Sequence, residues 1–206
     1  MAPSASNTPA PFPRAAFDVV GIAASAGGLN AIVEILKGLP ADFPAAIVVV
    51  QHLDPRHRSL LAEILERRTA VKVKQAVDGE PLLPGTVFTA PPNHHLLIDT
   101  DGTVSLTQSE LVHFVRPSAD LMFDSLAATF KGRAIAVVLT GTGSDGAMGI
   151  SAIKKMGGTV LAQDEATSDF YGMPAAAVHT GDVDLVLPLD EIAPAILGLV
   201  MQGEDG

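Results

Sequence analysis

The chain has 206 residues, a formal net charge of −10, and 48% hydrophobic against 17% charged residues, which fits one globular domain able to bury a full core. The acidic balance excludes a general nucleic-acid surface, because phosphate binding needs a basic stripe and none is present. There is no cysteine, so disulfides, thiol catalysis and thiolate metal sites are excluded as well.

Apolar runs such as residues 45–50 are far too short to span a bilayer. The opening stretch MAPSASNTPAPFPRAA lacks the basic start and apolar core of a secretory signal. Its four prolines among small polar neighbours give it linker composition. We therefore expect a flexible segment over residues 1–16, one domain over residues 17–203, and a cytoplasmic protein.

In chain order, residues 18–23 read as a continuous buried strand, and Leu29, Ile32, Val33 and Leu36 recur at helical spacing. Residues 45–50 form a second buried run, and Ser59 is placed to cap a helix over 60–68. Val71, Val73 and Val77 keep odd positions apolar, as a short strand does. Residues 87–89 and 96–98 are strand-like, and Asp101-Gly102 marks a hairpin turn before a strand over 104–106. Ser118 is placed to cap a helix running through Phe130. A buried run over 133–139 follows, then a helix over 147–156, which Gly157-Gly158 ends. A strand over 160–162, a helix from Pro174, a strand over 185–187 and a final helix from Asp190 complete the chain. Strands apolar throughout, alternating with helices, predict an α/β fold: a doubly wound, mostly parallel, Rossmann-like sheet with helices on both faces and a small antiparallel hairpin.

Ligands of such sheets bind outside the carboxyl ends of the strands. The first strand runs into Ser25-Ala26-Gly27-Gly28, the second into Gln51-His52, and the strand over 133–139 into Thr140-Gly141-Thr142-Gly143-Ser144-Asp145-Gly146. If these strands are neighbours, Ser25, His52 and Asp145 meet on one rim as nucleophile, base and orienting acid. The helix after Gly27-Gly28 and the loop over 141–146 offer backbone N–H groups for an oxyanion. Each residue also has a plainer explanation: an N-cap, a structural histidine, a turn aspartate. A phosphate cradle is the other use of the first corner. It is disfavoured because positions 23 and 26 are alanine and no Walker lysine follows.

These motifs resemble the catalytic domain of CheB-type chemotaxis methylesterases. Pro91-Pro92-Asn93, Arg116-Pro117-Ser118-Ala119-Asp120, Ala162-Gln163-Asp164 and Gly172-Met173-Pro174 extend the likeness from about Phe17 to about Ile196. The resemblance implies hydrolysis of glutamate γ-methyl esters on chemoreceptor signalling helices, with release of methanol, and in many members deamidation of glutamines. It assigns the nucleophile to Ser25, the base to His52, the third member to Asp145 and an oxyanion amide to Thr142, beside the Gly27 backbone. Implied partners are methylated receptor helices or another methylated signalling protein, with no cofactor, nucleic acid or membrane insertion. Two departures stand out: Ala26 replaces a threonine common in the family, and Thr142 replaces a common methionine. The sixteen residues before Phe17 are too few for the phosphorylatable receiver domain that typical members carry. The alternative to an enzyme is a non-catalytic interaction domain that keeps this fold.

Other residues are given plainer roles. His94-His95 precede a strand, and adjacent residues on a strand point to opposite faces, which argues against a metal pair. His57, His113 and His179 read as surface residues. Arg56, Arg58 and Arg116 are either solvated charges or a means of steering an acidic helix toward the rim.

Overall fold

In the computed structural model, which describes residues 10, 12, 13, 15–52 and 59–201, the buried apolar runs become neighbouring parallel strands. Strand β1 (Val19–Ala24) pairs with β2 (Ala46–Gln51) from Val19↔Ala46 to Ala24↔Gln51. On its other side β1 pairs with β7 (Ala134–Val138) from Val19↔Ala134. The remaining parallel strands are β3 (Lys72–Gln75), β4 (Thr86–Thr89), β8 (Thr159–Gln163) and β9 (Leu185–Leu187). They give a seven-stranded sheet in the order β3-β4-β2-β1-β7-β8-β9. From β1 the chain passes to β2, then to the edge strand β3, returns to place β4 between them, and crosses β1 to continue outward from β7. The reversal between β1 and β7 is where an open α/β sheet leaves a crevice.

Alternate residues of each central strand enter opposite cores. Val20, Ile22 and Ala24 face helices α1 (Gly28–Lys37), α2 (Leu61–Arg68) and α6 (Leu189–Met201). Val19 and Ala23 face α3 (Ala119–Phe130), α4 (Ala147–Lys155) and α5 (Gly172–His179). Burial on both faces explains why these strands carry no polar alternation. Gly21 exists for the same reason: a Cβ there would stand 2.7 Å from Leu126 and 3.0 Å from Phe123. At the amino ends of the strands, Asp18 is fully buried and pairs with Arg133, joining the starts of β1 and β7.

The hairpin forms its own two-stranded sheet, β5 (His95–Ile98) with β6 (Val104–Thr107), antiparallel. Its turn uses Gly102 at φ +85°, and Asp101 accepts from the Thr103 N–H and hydroxyl. It docks on α3 through a hydrogen bond from Ile98 N to the Ser125 hydroxyl.

Element boundaries differ from expectation in a few places. Val71 and Val73 are buried, but Val77 lies beyond β3 and is exposed, in a turn held by the Glu80 carboxylate. Helix α5 starts at Gly172 rather than Pro174; proline fits that first turn because its missing N–H has no intrahelical acceptor there. Helix α4 ends at Lys155, and N–H groups of Gly157 and Gly158 bond back to Lys154 and Ile153, the two-bond glycine stop. Most of the segment over 1–16, and Arg56, His57 and Arg58, lie outside the described residues.

Candidate active site

The corner after β1 is held from three directions. Ser25 N–H donates to Thr140 O at 3.1 Å, and Ser25 O accepts from Gly28 N–H at 2.9 Å and from the Gln51 amide at 2.7 Å. The same Gln51 Nε2 donates to His52 O at 3.1 Å, so one side chain ties the ends of β1 and β2 together. Both glycines of the Ser-Ala-Gly-Gly corner follow from this packing. Gly27 takes φ +78°, and a Cβ on Gly28 would fall 2.1 Å from Gln51 Oε1. Gly141, on the β7 side, has no room for a side chain: a Cβ would stand 2.8 Å from Ser25 Cβ and 2.4 Å from Met173 Sδ.

His52 follows β2, and its N–H continues the ladder to Ala24 O at 3.1 Å. Since Ala24 pairs with Gln51, Ser25 and His52 are the next residues of two adjacent strands. Imidazole Nε2 donates to Asp145 Oδ2 at 2.8 Å. That leaves Nδ1 as the ring nitrogen available to a proton from the serine. Ser25 is half-buried, and its hydroxyl makes no hydrogen bond among the described residues. The acid–base pair is closed, while the serine contact is open, as is common before substrate arrives.

Asp145 is buried, with 4% exposure, and draws its support from the start of α3. Its Oδ1 accepts from the Ser118 hydroxyl at 2.9 Å and Asp120 N–H at 3.1 Å, and its Oδ2 accepts from Ala119 N–H at 2.6 Å. Burial pushes the Asp145 carboxyl up, but the bonds from His52, Ala119 and Asp120 and the His52 charge outweigh it and hold the carboxyl below its ordinary value. A helix N-terminus favours an anion in addition. Asp120 returns the arrangement, its Oδ1 accepting N–H groups of Gly146, Met148 and Gly149 at the start of α4. Burial pushes the Asp120 carboxyl up, and the neighbouring Asp145 charge adds to this against those N–H bonds.

Sequence reasoning treated Ser118 as an ordinary cap, and it is one, accepting from Leu121 N–H at 3.5 Å. Its hydroxyl proton going to Asp145 was not anticipated. The roles of Asp120, Gln51 and His95 were likewise missed. Arg116 needs correction as a steering charge. Its guanidinium donates to Asn93 Oδ1 at 3.0 and 2.7 Å, to Gln108 O at 2.9 Å and to Ser109 O at 2.5 Å, so it braces the loop beside the site. His113 is exposed as expected but sits 3.4 Å from Asp120 Oδ2. His94 and His95 take separate partners, Pro92 O and Glu110 O. No group of three or more potential metal ligands occurs among the described residues.

The N–H groups of Thr142 and Gly27, on the loops after β7 and β1, make no hydrogen bond among the described residues. Thr140 fastens these loops, its hydroxyl donating to Ala26 O at 3.0 Å and accepting from Phe170 N–H at 2.9 Å. Large apolar side chains stand exposed on the segments around the crevice: Phe114 at 94%, Met148 at 69% and Phe170 at 48%.

The profile of the CheB methylesterase family matches residues 20–196, a span that contains every one of these groups. The chain belongs to the CheB methylesterase family. It is 40% identical over 192 residues to protein-glutamate methylesterase/protein-glutamine glutaminase 2 of Caulobacter vibrioides, covering 91% of this chain and 55% of that protein. The Moorella thermoacetica protein-glutamate methylesterase/protein-glutamine glutaminase is 42% identical over 194 residues, 92% of this chain and 46% of its own length. The chain thus spans about half the length of these CheB relatives. The crystal structure of the Thermotoga maritima CheB methylesterase catalytic domain superposes with a TM-score of 0.86 at 38% identity, covering 90% of this chain and all of that one.

Proposed function

We propose that this CheB-family domain is a serine hydrolase that removes methyl groups from glutamate γ-methyl esters on chemoreceptor signalling helices in the cytoplasm, its catalytic unit lying within residues 17–203. The observation that carries the reading is the part-buried His52–Asp145 hydrogen bond of 2.8 Å at the end of the strand next to that of Ser25. Ser25 Oγ attacks the ester carbonyl while His52 Nδ1 takes its proton, and Asp145 stays ionised, fixing the ring and stabilising the imidazolium. The tetrahedral intermediate collapses as His52 returns the proton to the leaving methoxide, releasing methanol. Water, activated by the same nitrogen, then hydrolyses the acyl-serine to glutamate. A glutamine reaching the same acyl-serine releases ammonia instead, in keeping with the second activity in the relatives' names.

The Thr142 amide is the principal oxyanion donor in this reading. Gly27 is the weaker one, because the Asp169 carboxylate packs against its α-carbon and opposes negative charge there. The exposed side chains of Phe114, Met148 and Phe170 suit a macromolecular substrate. Ala26 leaves no side-chain hydroxyl beside the nucleophile, so His52 is oriented by Asp145. No helix among the described residues is long and apolar enough to cross a membrane.

Methanol release from methylated receptor fragments, compared between the natural protein and Ser25→Ala, is the direct test. Loss by about three orders of magnitude or more is expected. Equal release from the two proteins would leave a non-catalytic domain. A serine-directed phosphonate should label Ser25, and an adduct on Ser144 would move the nucleophile.

A further inference from the structure

We infer that His95, outside the Ser25–His52–Asp145 set, is a positioning residue that holds the catalytic aspartate through Ser118. This rests on the reaction proposed above. His95 opens β5, far along the chain from the three strand ends, and is fully buried. Its Nδ1 accepts the Ser118 N–H at 3.1 Å and its Nε2 donates to Glu110 O at 3.0 Å. Ser118 in turn gives its hydroxyl proton to Asp145 Oδ1 at 2.9 Å, and Asp145 Oδ2 accepts from His52 at 2.8 Å. Four hydrogen bonds thus link the Glu110 carbonyl to the base through His95, the backbone and hydroxyl of Ser118, and Asp145.

Only one protonation state of His95 satisfies both neighbours. Nδ1 must be bare to receive an N–H, and Nε2 must carry the proton to give it to a carbonyl. An imidazolium, or the other tautomer, would face the Ser118 N–H with a second N–H and push Ser118 out of its seat. Burial lowers the pKa of His95 first, and the charge of Arg116 adds to that, against the Glu110 carbonyl and the Asp145 charge. An apolar side chain of similar size would fill the space but leave the Ser118 N–H without its acceptor. The end of the relay that matters is Asp145, because displacing an orienting carboxylate by about 1 Å is enough to lower turnover by up to about 100-fold.

His95→Leu removes the acceptor, whereas His95→Asn carries its carbonyl oxygen where the imidazole has Nδ1. On a methylated receptor fragment, His95→Leu is expected to lower kcat by about 10- to 100-fold with KM within about twofold. His95→Asn should recover most of that loss. Combined with Ser118→Ala, His95→Leu should add little, because both act on Asp145 through one hydroxyl. A kcat within about twofold for His95→Leu, or losses that simply multiply in the double variant, overturns the inference. Should His95→Leu fail to fold, nitrogen NMR of the natural protein at neutral pH decides: the Nε2–H tautomer supports the relay, and an Nδ1–H tautomer or a charged ring ends it. Natural protein that releases no methanol overturns the reaction and the relay's catalytic purpose together; active protein indifferent to His95 overturns the relay alone.

Discussion

Asp145 and Asp120 cap each other's helices. Asp145, just before α4, accepts two N–H groups from the start of α3, while Asp120, in the first turn of α3, accepts three from the start of α4. The exchange welds the two helices where they nearly touch: a Cβ on Gly149 would fall 2.7 Å from Asp120 O. The proposed catalytic acid is therefore also a structural cap, and its position depends on a carboxylate that never meets substrate.

Asp120→Ala should separate these roles. Losing the acceptor for three N–H groups at the α4 start is expected to lower stability by about 1–3 kcal/mol. Turnover should fall as well, since Asp145 stands two residues before the helix that loosens. Asp120→Asn keeps an acceptor oxygen and should lie much closer to the natural protein. Urea midpoints and methanol release measured on both variants check the ordering; an Asp120→Asn as damaged as the alanine would refute capping as the cause.

Asp145→Asn and His52→Ala should each leave the far-ultraviolet spectrum unchanged while lowering kcat, the asparagine by about three to four orders of magnitude. Asparagine presents an amide that no longer stabilises the imidazolium. A folded Asp145→Asn with near-normal turnover would break its assignment as the orienting acid.

Gly141→Ala tests the packing beneath the proposed nucleophile. The added methyl would overlap Ser25 Cβ and Met173 Sδ, at 2.8 and 2.4 Å. Met173 is buried and cannot simply swing away, so a loss of about 1–3 kcal/mol is expected, with Ser25 displaced. The thermal midpoint and the rate of phosphonate labelling of Ser25 should fall together. A midpoint that drops while labelling stays normal would show the strain relieved toward Met173 alone.

Acid should destabilise the fold through Asp145. Its folded carboxyl titrates below the ordinary 3.8, so the unfolded chain takes up a proton first as pH falls. The stabilisation is fully present above that ordinary value and is lost as pH falls through the lower folded one. Asp120, pushed up by burial and by Asp145, acts in the opposite sense just above the same range. Urea midpoints between about pH 5 and about pH 2 should therefore fall more steeply in Asp120→Asn than in Asp120→Asn/Asp145→Asn. Parallel slopes would show that Asp145 does not carry this term.

The site was legible as far as strand ends are legible. Unbroken apolar runs announce buried parallel strands, and the segments that follow such runs emerge at one sheet edge, so Ser25, His52 and Asp145 were readable as candidates for a common rim on the condition that their strands are neighbours. Arg116 was misread because a lone arginine in a loop carries no local sign that three oxygen-bearing neighbours will use its donors. His95 was set aside for a sound reason, its unsuitability as half of a metal pair. Its actual partners, Ser118 and Glu110, lie 23 and 15 residues away, beyond any local pattern.

By itself the sequence determined the layers, the order of elements and the chemistry gathered on the rim of the Val19–Ala24 strand, because burial on two faces leaves a periodic record in the residues that are buried. Only the tertiary structure decided which strands neighbour β1, which imidazole nitrogen meets Asp145, and that Ser118, Asp120 and Gln51 hold the site in place. The strand order turns on how whole strands pair, and the contacts of the site turn on single hydrogen bonds between segments distant in the chain. A hydrogen bond needs one donor and one acceptor at about 3 Å, and nothing periodic in the sequence marks where the fold will bring them together.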